Sequence, residues 1–344
     1  MKENSSKETL RRESGVPLPY IRPRRLRADA ATRALVRETR LTPDMLILPV
    51  FVKEGGDAED IAAMPGVQRH SLSSLLSLAE EALSLGIRAL APFPVVGDEK
   101  RDSEASEAWN EKGIIPQALA LLKSRLPELL LIADVALDPY TTHGHDGLLD
   151  ERGEVDNDRT LAVLARQALV LAQAGAEVVA PSDMMDGRVR AIRLALDDAG
   201  LTGKRILAYS AKYASAFYGP FRQALGSAQA LGSSGKETYQ MDPANAREAL
   251  REAALDVEEG ADMLMVKPAM PYLDVIAMLS SHFSQPVFAY QVSGEYAMTK
   301  LAAKAQVMDE KKAMMESLVG IVRAGARSVL TYFALDAARA LLGR

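Results

Sequence analysis

Two lysines carry the most pointed chemistry in this sequence. Lys267 directly follows the apolar run Met263-Leu264-Met265-Val266 and precedes Pro268, so its stem starts buried; Lys212 closes a second apolar stretch, Ile206–Tyr209 followed by Ser210-Ala211. A free lysine has a pKa near 10.4, so about one in 10³ is neutral at pH 7. Attack on a carbonyl needs the neutral amine. Burial, or a second cation nearby, disfavours the ammonium and supplies it. Two lysines at one mouth would each depress the other, and the chemistry implied is Schiff-base formation with a ketone. The bland alternative is that each snorkels to water or pairs with a carboxylate.

Eight short apolar runs could position them: Leu46–Val52, Ala89–Val95, Leu129–Leu137, Val178–Pro181, Ile206–Tyr209, Met263–Val266, Val287–Val292 and Val329–Phe333. Most are continuously apolar, as expected of strands buried on both faces in a parallel sheet. Helical patterns lie between them. Leu161, Leu164, Ala165, Ala168, Leu169 and Ala172 share one helix face, with Asn157 or Asp158 as cap and Gly175 at the end. Another helix is expected from Pro243, capped by Asp242, to Gly260. Leu75–Leu85, Ile114–Leu126, Val189–Ala199, Leu273–Phe283 and Lys311–Ala324 read similarly. Eight strand–helix units predict a single α/β domain, a (β/α)₈ TIM barrel over residues 41–344, with an open doubly wound sheet as the alternative.

In such a barrel the strand ends form the active site. Besides the two lysines they bring Asp134, Asp138 and the segment Thr141–Asp146 after strand three, Ser182 and Asp183 after strand four, and Ser210 on strand five. Strand seven supplies Tyr290, Gln291 and Ser293, and strand eight Thr331 and Tyr332. The glycine-rich stretch Gly226–Thr238 lies where barrels place lids.

The bulk numbers exclude several classes. The 344 residues are 48% hydrophobic and 25% charged, as in ordinary globular proteins. A net charge of −5 gives no argument for nucleic acid or membrane partners. No apolar stretch reaches the roughly 18–20 residues of a membrane span, and no secretory signal is evident. Glu3, Glu8 and Glu13 do not suit an organellar transit segment, and a cytosolic location is expected. With no cysteine there is no thiolate nucleophile and no zinc-thiolate site. Residues 1–40 are arginine-rich and proline-broken, either a solvated tail or, given Val16, Leu18, Tyr20 and Ile21, an arm that packs on a neighbouring subunit.

Several segments resemble the porphobilinogen synthase (delta-aminolevulinic acid dehydratase) family. They are the two lysine motifs, Ser210–Arg222 and Met265–Asp274, together with Val179–Gly187, Tyr239–Pro243 and Tyr290–Tyr296, and the resemblance runs from about Pro23 to the C-terminus. It implies condensation of two 5-aminolevulinate molecules to porphobilinogen with loss of two waters, in tetrapyrrole synthesis. Lys267 would hold the molecule giving the propionate side and Lys212 the one giving the acetate side. Arg222, Lys236 and Gln240 would meet one substrate carboxylate, with the lid at about 213–240 closing over it, and Ser293 and Tyr332 the other. Where many relatives carry a cysteine zinc site, this chain has Ala136, Asp138 and Asp146, which favour hard cations. It therefore resembles the magnesium-responsive branch. A stimulatory Mg²⁺ is expected at Glu252, with Asp183 as an outer-shell partner. Glu248, Glu252 and Asp256 recur on one helix face, where like charges repel, although such a row is also what a plain solvated face looks like. His143 and His145 are read as polar packing or substrate contacts. The family implies a homo-octamer with the N-terminal arm on a neighbour. The competing readings are a lysine Schiff-base aldolase of the same fold, and a barrel that only binds ligands.

Overall fold

The structure, a computed structural model, describes residues 21–225 and 235–343. The described residues fall into two compact units that divide between Arg40 and Leu41. In the first, Pro23–Arg27 forms a 3-10 turn, and Asp29 caps α1 (Ala30–Leu35) by accepting from the Thr32 N–H at 2.8 Å.

The second unit is built on eight strands: β1 (Leu46–Lys53), β2 (Ala89–Val95), β3 (Leu130–Val135), β4 (Val178–Pro181), β5 (Arg205–Lys212), β6 (Met263–Lys267), β7 (Val287–Gln291) and β8 (Ser328–Thr331). Each pairs in parallel with the next, and β8 returns to β1 through Leu46↔Val329 and Ile47↔Leu330. The sheet is therefore a closed parallel barrel, and the (β/α)₈ expectation holds. Closure buries both faces of every strand, which is why the strands read as unbroken apolar runs. A short hairpin, Glu59–Asp60 with Gln68–His70, extends pairing beside the exit of β1.

The connecting helices are α2 (Leu72–Ser84), α3 (Ile114–Arg125), α4 (Asn157–Ala174), α5 (Arg188–Asp198), α6 (Gly219–Leu225), α7 (Arg247–Glu258), α8 (Leu273–His282), α9 (Ser293–Lys304), α10 (Glu310–Arg323) and α11 (Ala334–Leu341). Two expected starts are corrected. The cap of α4 is Asp156, which accepts from the Arg159 N–H at 3.1 Å, one residue before the residues proposed for it. Helix α7 begins at Arg247, not at Pro243. Asp242 spends its carboxylate on the Ala244 N–H at 2.8 Å, closing a turn instead of a helix. The chain cannot start winding earlier because Met241 is still bound to the barrel: its N–H donates to the Lys212 carbonyl and its carbonyl accepts from Ala214.

One irregularity positions the site. The pairing of β5 with β6 runs from Ala208↔Leu264 to Ala211↔Val266, so β5 carries one extra residue at Tyr209-Ser210. Side chains alternate with period two, so a one-residue bulge reverses which face the following residues present. Beyond it Lys212 and Lys267 are direct register partners.

Candidate active site

The expectation that both lysines reach one mouth is met in position: they line the same small cavity, with Asp134, Asp138, Ser182, Arg222, Lys236 and Gln240. About 30 Å³ is left open there, on the order of two water molecules.

Lys267 lies in an aromatic enclosure. The ring centroids of Tyr290, Tyr218, Tyr209 and Phe221 stand 4.8, 5.2, 5.3 and 5.3 Å from its Nζ. The side chain is 7% exposed. Burial, followed by the charge of Lys212, pushes its pKa down to about 7 against the pull of Asp134, Asp138 and Asp146. A large share of this amine is therefore neutral at pH 7, which is what carbonyl attack requires. Tyr218 and Phe221 come from the segment after β5 and roof the enclosure. The Tyr218 hydroxyl lies 2.7 Å from the Tyr213 carbonyl oxygen and 3.2 Å from that of Lys267, tying the roof to both strands.

Lys212 lives in a different environment. Its Nζ donates to the Ser182 carbonyl and lies 3.6 Å from Asp146 Oδ2. The same Asp146 oxygen is 3.2 Å from Lys236 Nζ, which is also 3.2 Å from Asp138 Oδ2. Burial drives the Asp146 carboxyl upward, but the Lys212 and Lys236 charges outweigh it and hold it well below the usual carboxylate range. Burial and Asp146 raise Asp138. Burial pulls Lys236 down, and Asp138 and Asp146 more than restore it. Asp134, which lines the cavity, is raised to about 6 by burial despite Lys267 and Lys212. Asp134 and Lys267 thus titrate near one another and near neutrality, as proton-exchanging groups should.

The remaining expected residues divide. Gln240 is buried and lines the cavity, and its Oε1 accepts no hydrogen bond from the described residues. Ser293, Tyr290, Tyr332 and Ser210 stand just outside the cavity lining, and their hydroxyls are engaged. Ser293 Oγ accepts from the Phe221 N–H at 2.9 Å, Tyr290 and Tyr332 share a 2.9 Å hydrogen bond, and Ser210 Oγ donates to the Ala208 carbonyl at 3.3 Å inside the bulge. Gly294 packs so closely on the roof segment that a Cβ there would lie 2.5 Å from the Phe217 carbonyl oxygen. His143 and His145 behave as polar packing: burial lowers both, and His145 Nδ1 meets the Tyr239 hydroxyl at 3.2 Å. The centre of the expected lid, residues 226–234, and residues 1–20 of the expected arm lie outside the described residues.

Beside the site opens a larger cleft of about 650 Å³, sharing Gln240 and lined also by Asp186, Glu248 and Glu252. Glu252 is half-buried, and burial raises its carboxyl, with Asp256, Asp186 and Glu248 adding to the rise against Arg188. The expected acidic row is corrected at one end. Asp256 is buried and pairs in a fork with Arg188, its Oδ1 and Oδ2 at 3.0 and 3.1 Å from the two terminal nitrogens. Asp183 is also fully buried, facing the same arginine. Among the described residues no group of three or more His, Asp or Glu side chains is arranged to hold a metal.

Reading from sequence missed Tyr218 and Phe221 as enclosure walls, although both sit inside the quoted lysine motif. It also missed Arg188. An arginine at the first position of a helix opposes the helix dipole, which is a sign that another interaction holds it there.

The arrangement defines a (β/α)₈ barrel with two amines lining one cavity at its mouth, a geometry suited to carbonyl chemistry. The delta-aminolevulinic acid dehydratase family profile matches residues 20–340. A delta-aminolevulinic acid dehydratase of Bradyrhizobium diazoefficiens is 53% identical over 340 residues, covering 97% of this chain and 96% of the relative. One of Streptomyces coelicolor is 51% identical over 325 residues, covering 94% and 98%. The crystal structure of the Toxoplasma gondii enzyme in complex with its product porphobilinogen superposes with a TM-score of 0.93 at 51% identity, covering 95% of this chain and 93% of that one. The chain belongs to the delta-aminolevulinic acid dehydratase family. The resemblance stated from its motifs is borne out, as is the expectation of a hydro-lyase of the porphobilinogen synthase type, and the aldolase and ligand-binding alternatives fall away.

If Lys267 reacts as the free amine, adduct formation with a ketone substrate slows as pH falls through about 7. Below that value the rate is expected to drop about tenfold per pH unit, since the neutral fraction does. Stopped-flow or quenched trapping across pH 5–9 measures this, and a flat profile would contradict the assignment.

Proposed function

We propose that the chain condenses two 5-aminolevulinate molecules to porphobilinogen through imines on Lys267 and Lys212. The observation that carries this reading is the register pairing of the two lysines in one cavity, with Lys267 depressed to about 7. The neutral Lys267 amine adds to the ketone of one substrate, and loss of water gives an imine. Lys212 does the same with the second. Each imine draws electrons from the adjacent carbon, which acidifies its protons. Asp134 is placed to relay those protons, since it lines the cavity and is raised to about 6. One carbon–carbon and one carbon–nitrogen bond join the two molecules into the ring, two waters leave overall, and both lysines are released as amines.

Arg222 and Gln240 line the cavity and would receive one substrate carboxylate through charge-assisted and amide hydrogen bonds. Lys236 would join them by exchanging its aspartate partners. Ser293 and Tyr332 would serve the second carboxylate by releasing the roof amide and the Tyr290 hydroxyl. The open volume is far too small for two substrates, so entry requires described lining residues such as Tyr218 and Phe221 to move. On this reading, Lys267→Ala and Lys212→Ala each lower pyrrole formation from 5-aminolevulinate by at least about 10³-fold, the scale of removing a covalent catalyst. A colorimetric pyrrole assay reads this, and substantial turnover by Lys267→Ala would sink the mechanism.

The same proposal includes a stimulatory Mg²⁺ in the adjoining cleft. Glu252 fits such an ion: it is half-buried beside Asp186 and Glu248, and a cation would relieve their mutual repulsion. Mg²⁺ commonly keeps most of its waters and takes one or two carboxylates, so a three-ligand cluster is not required. Its contribution there would be electrostatic and structural. Glu252→Gln is expected to abolish the rise in activity on adding Mg²⁺; persistence of the full rise would rule the site out.

The proposal also takes residues 1–40 as an arm in a homo-octamer, in keeping with their apolar residues among arginines, and places the protein in the cytosol. Removing residues 1–40 is then expected to lower the mass in solution, measured by light scattering, and an unchanged mass would refute the arm.

A further inference from the structure

Arg188 hydrogen-bonds none of the residues that line the substrate cavity, yet it fastens two segments that position Lys212. It is the first residue of α5, and Gly187, at φ +80°, turns the chain so that its side chain enters the protein. Its guanidinium is 2% exposed. One terminal nitrogen donates to the Met185 carbonyl at 3.2 Å and to Asp256 Oδ1 at 3.0 Å. The other donates to Asp256 Oδ2 at 3.1 Å and to the Tyr209 carbonyl at 3.4 Å. Three pieces are joined in this way: the exit of β4, the bulge of β5 and helix α7.

The first two bear on the chemistry. The exit of β4 carries the Ser182 carbonyl that accepts from Lys212 Nζ. The bulge sets the register that brings Lys212 opposite Lys267. Between them lies a looser contact. Arg188 Nε and Asp183 Oδ2 are 3.8 Å apart, both buried, and neither has a hydrogen-bond partner. A fork of five donors can hold three directions at once, which a lysine ammonium on a flexible stem does not.

We propose that Arg188 is a positioning residue for Lys212: by fixing the exit of β4 and the β5 bulge against α7, it holds the Ser182 carbonyl where it aims the Lys212 amine at the second substrate. This rests on the reading that Lys212 forms an imine. Arg188 acts through Ser182 and the strand; of the four rings around Lys267 it bonds only the backbone of Tyr209, and Tyr218, Phe221 and Tyr290 are held by other contacts, so its loss falls chiefly on Lys212.

The test is Arg188→Lys in the full chain, which keeps the charge beside Asp256 and Asp183 but removes the fork. Wild type and variant are incubated with 5-aminolevulinate, reduced with borohydride at matched times, digested and mapped, with thermal unfolding followed in parallel. In wild type, adducts on Lys212 show that the underlying reading holds; their absence there overturns that reading, separately from this one. In folded Arg188→Lys, a loss of about 10²-fold in kcat is expected, the size that a misplacement on the order of 1 Å produces, with a selective fall in the Lys212 adduct and the Lys267 adduct within about twofold of wild type. Equal loss at both lysines, or no loss at either, overturns the proposal. If Arg188→Lys does not fold, Asp183→Asn decides: it keeps an acceptor for the Met185 N–H and removes only the charge opposite Nε. A lowered Lys212 adduct in that variant supports the proposal, and an unchanged one overturns it.

Discussion

Burying an amine beneath four aromatic rings strips its water, and the charged form suffers most. Lys267 meets this by titrating at about 7, and much of the molecule serves to create that condition. The closed barrel supplies the dry interior. The β5 bulge brings Lys212 alongside, adding repulsion to desolvation. Tyr218 and Phe221 reach over from the segment after β5, and that segment is pinned in turn by Ser293 and by the close approach that only glycine at 294 permits. Each element is ordinary alone. Their joint effect is a nucleophile ready at neutral pH.

The second half of the cavity balances charge instead of excluding it. Lys212, Lys236, Asp138 and Asp146 form one network in which a single Asp146 oxygen lies near the Nζ atoms of two lysines. Breaking such a buried network by removing one member costs several kcal/mol, because it leaves an uncompensated charge. The two lysines are therefore placed differently: the charged form of one is disfavoured by its surroundings, and the other is held by a carbonyl and a carboxylate. That asymmetry suits a reaction in which two copies of one molecule must play different parts.

Much of this was legible in the sequence. Continuous apolar runs are the direct consequence of strands buried on both faces, so all eight strands and the lysines at two of their ends could be read. The cap of α7 could not, because Asp242 prefers a local turn while Met241 stays bonded to β5, a tertiary fact with no local sign. Nor could the bulge, since one extra residue in an apolar strand leaves its composition unchanged. The row Glu248, Glu252, Asp256 looked like one face, but Asp256 turns inward to a buried arginine. Helical spacing gives angle around the axis and not what lies opposite. Lys236 is similar: its role was assigned toward substrate, whereas two aspartates far away in sequence hold it here.

The most direct test of the central claim is the protonation state of Lys267 itself. With ¹⁵N-labelled lysine and Lys267→Arg as the assignment control, the Nζ resonance of Lys267 can be followed through pH by NMR in the unliganded protein. The account predicts a midpoint near 7, far below the other lysines. A midpoint near the ordinary value of about 10.4 would contradict it, since the amine would then be charged at neutral pH and the enclosure would not be preparing a nucleophile.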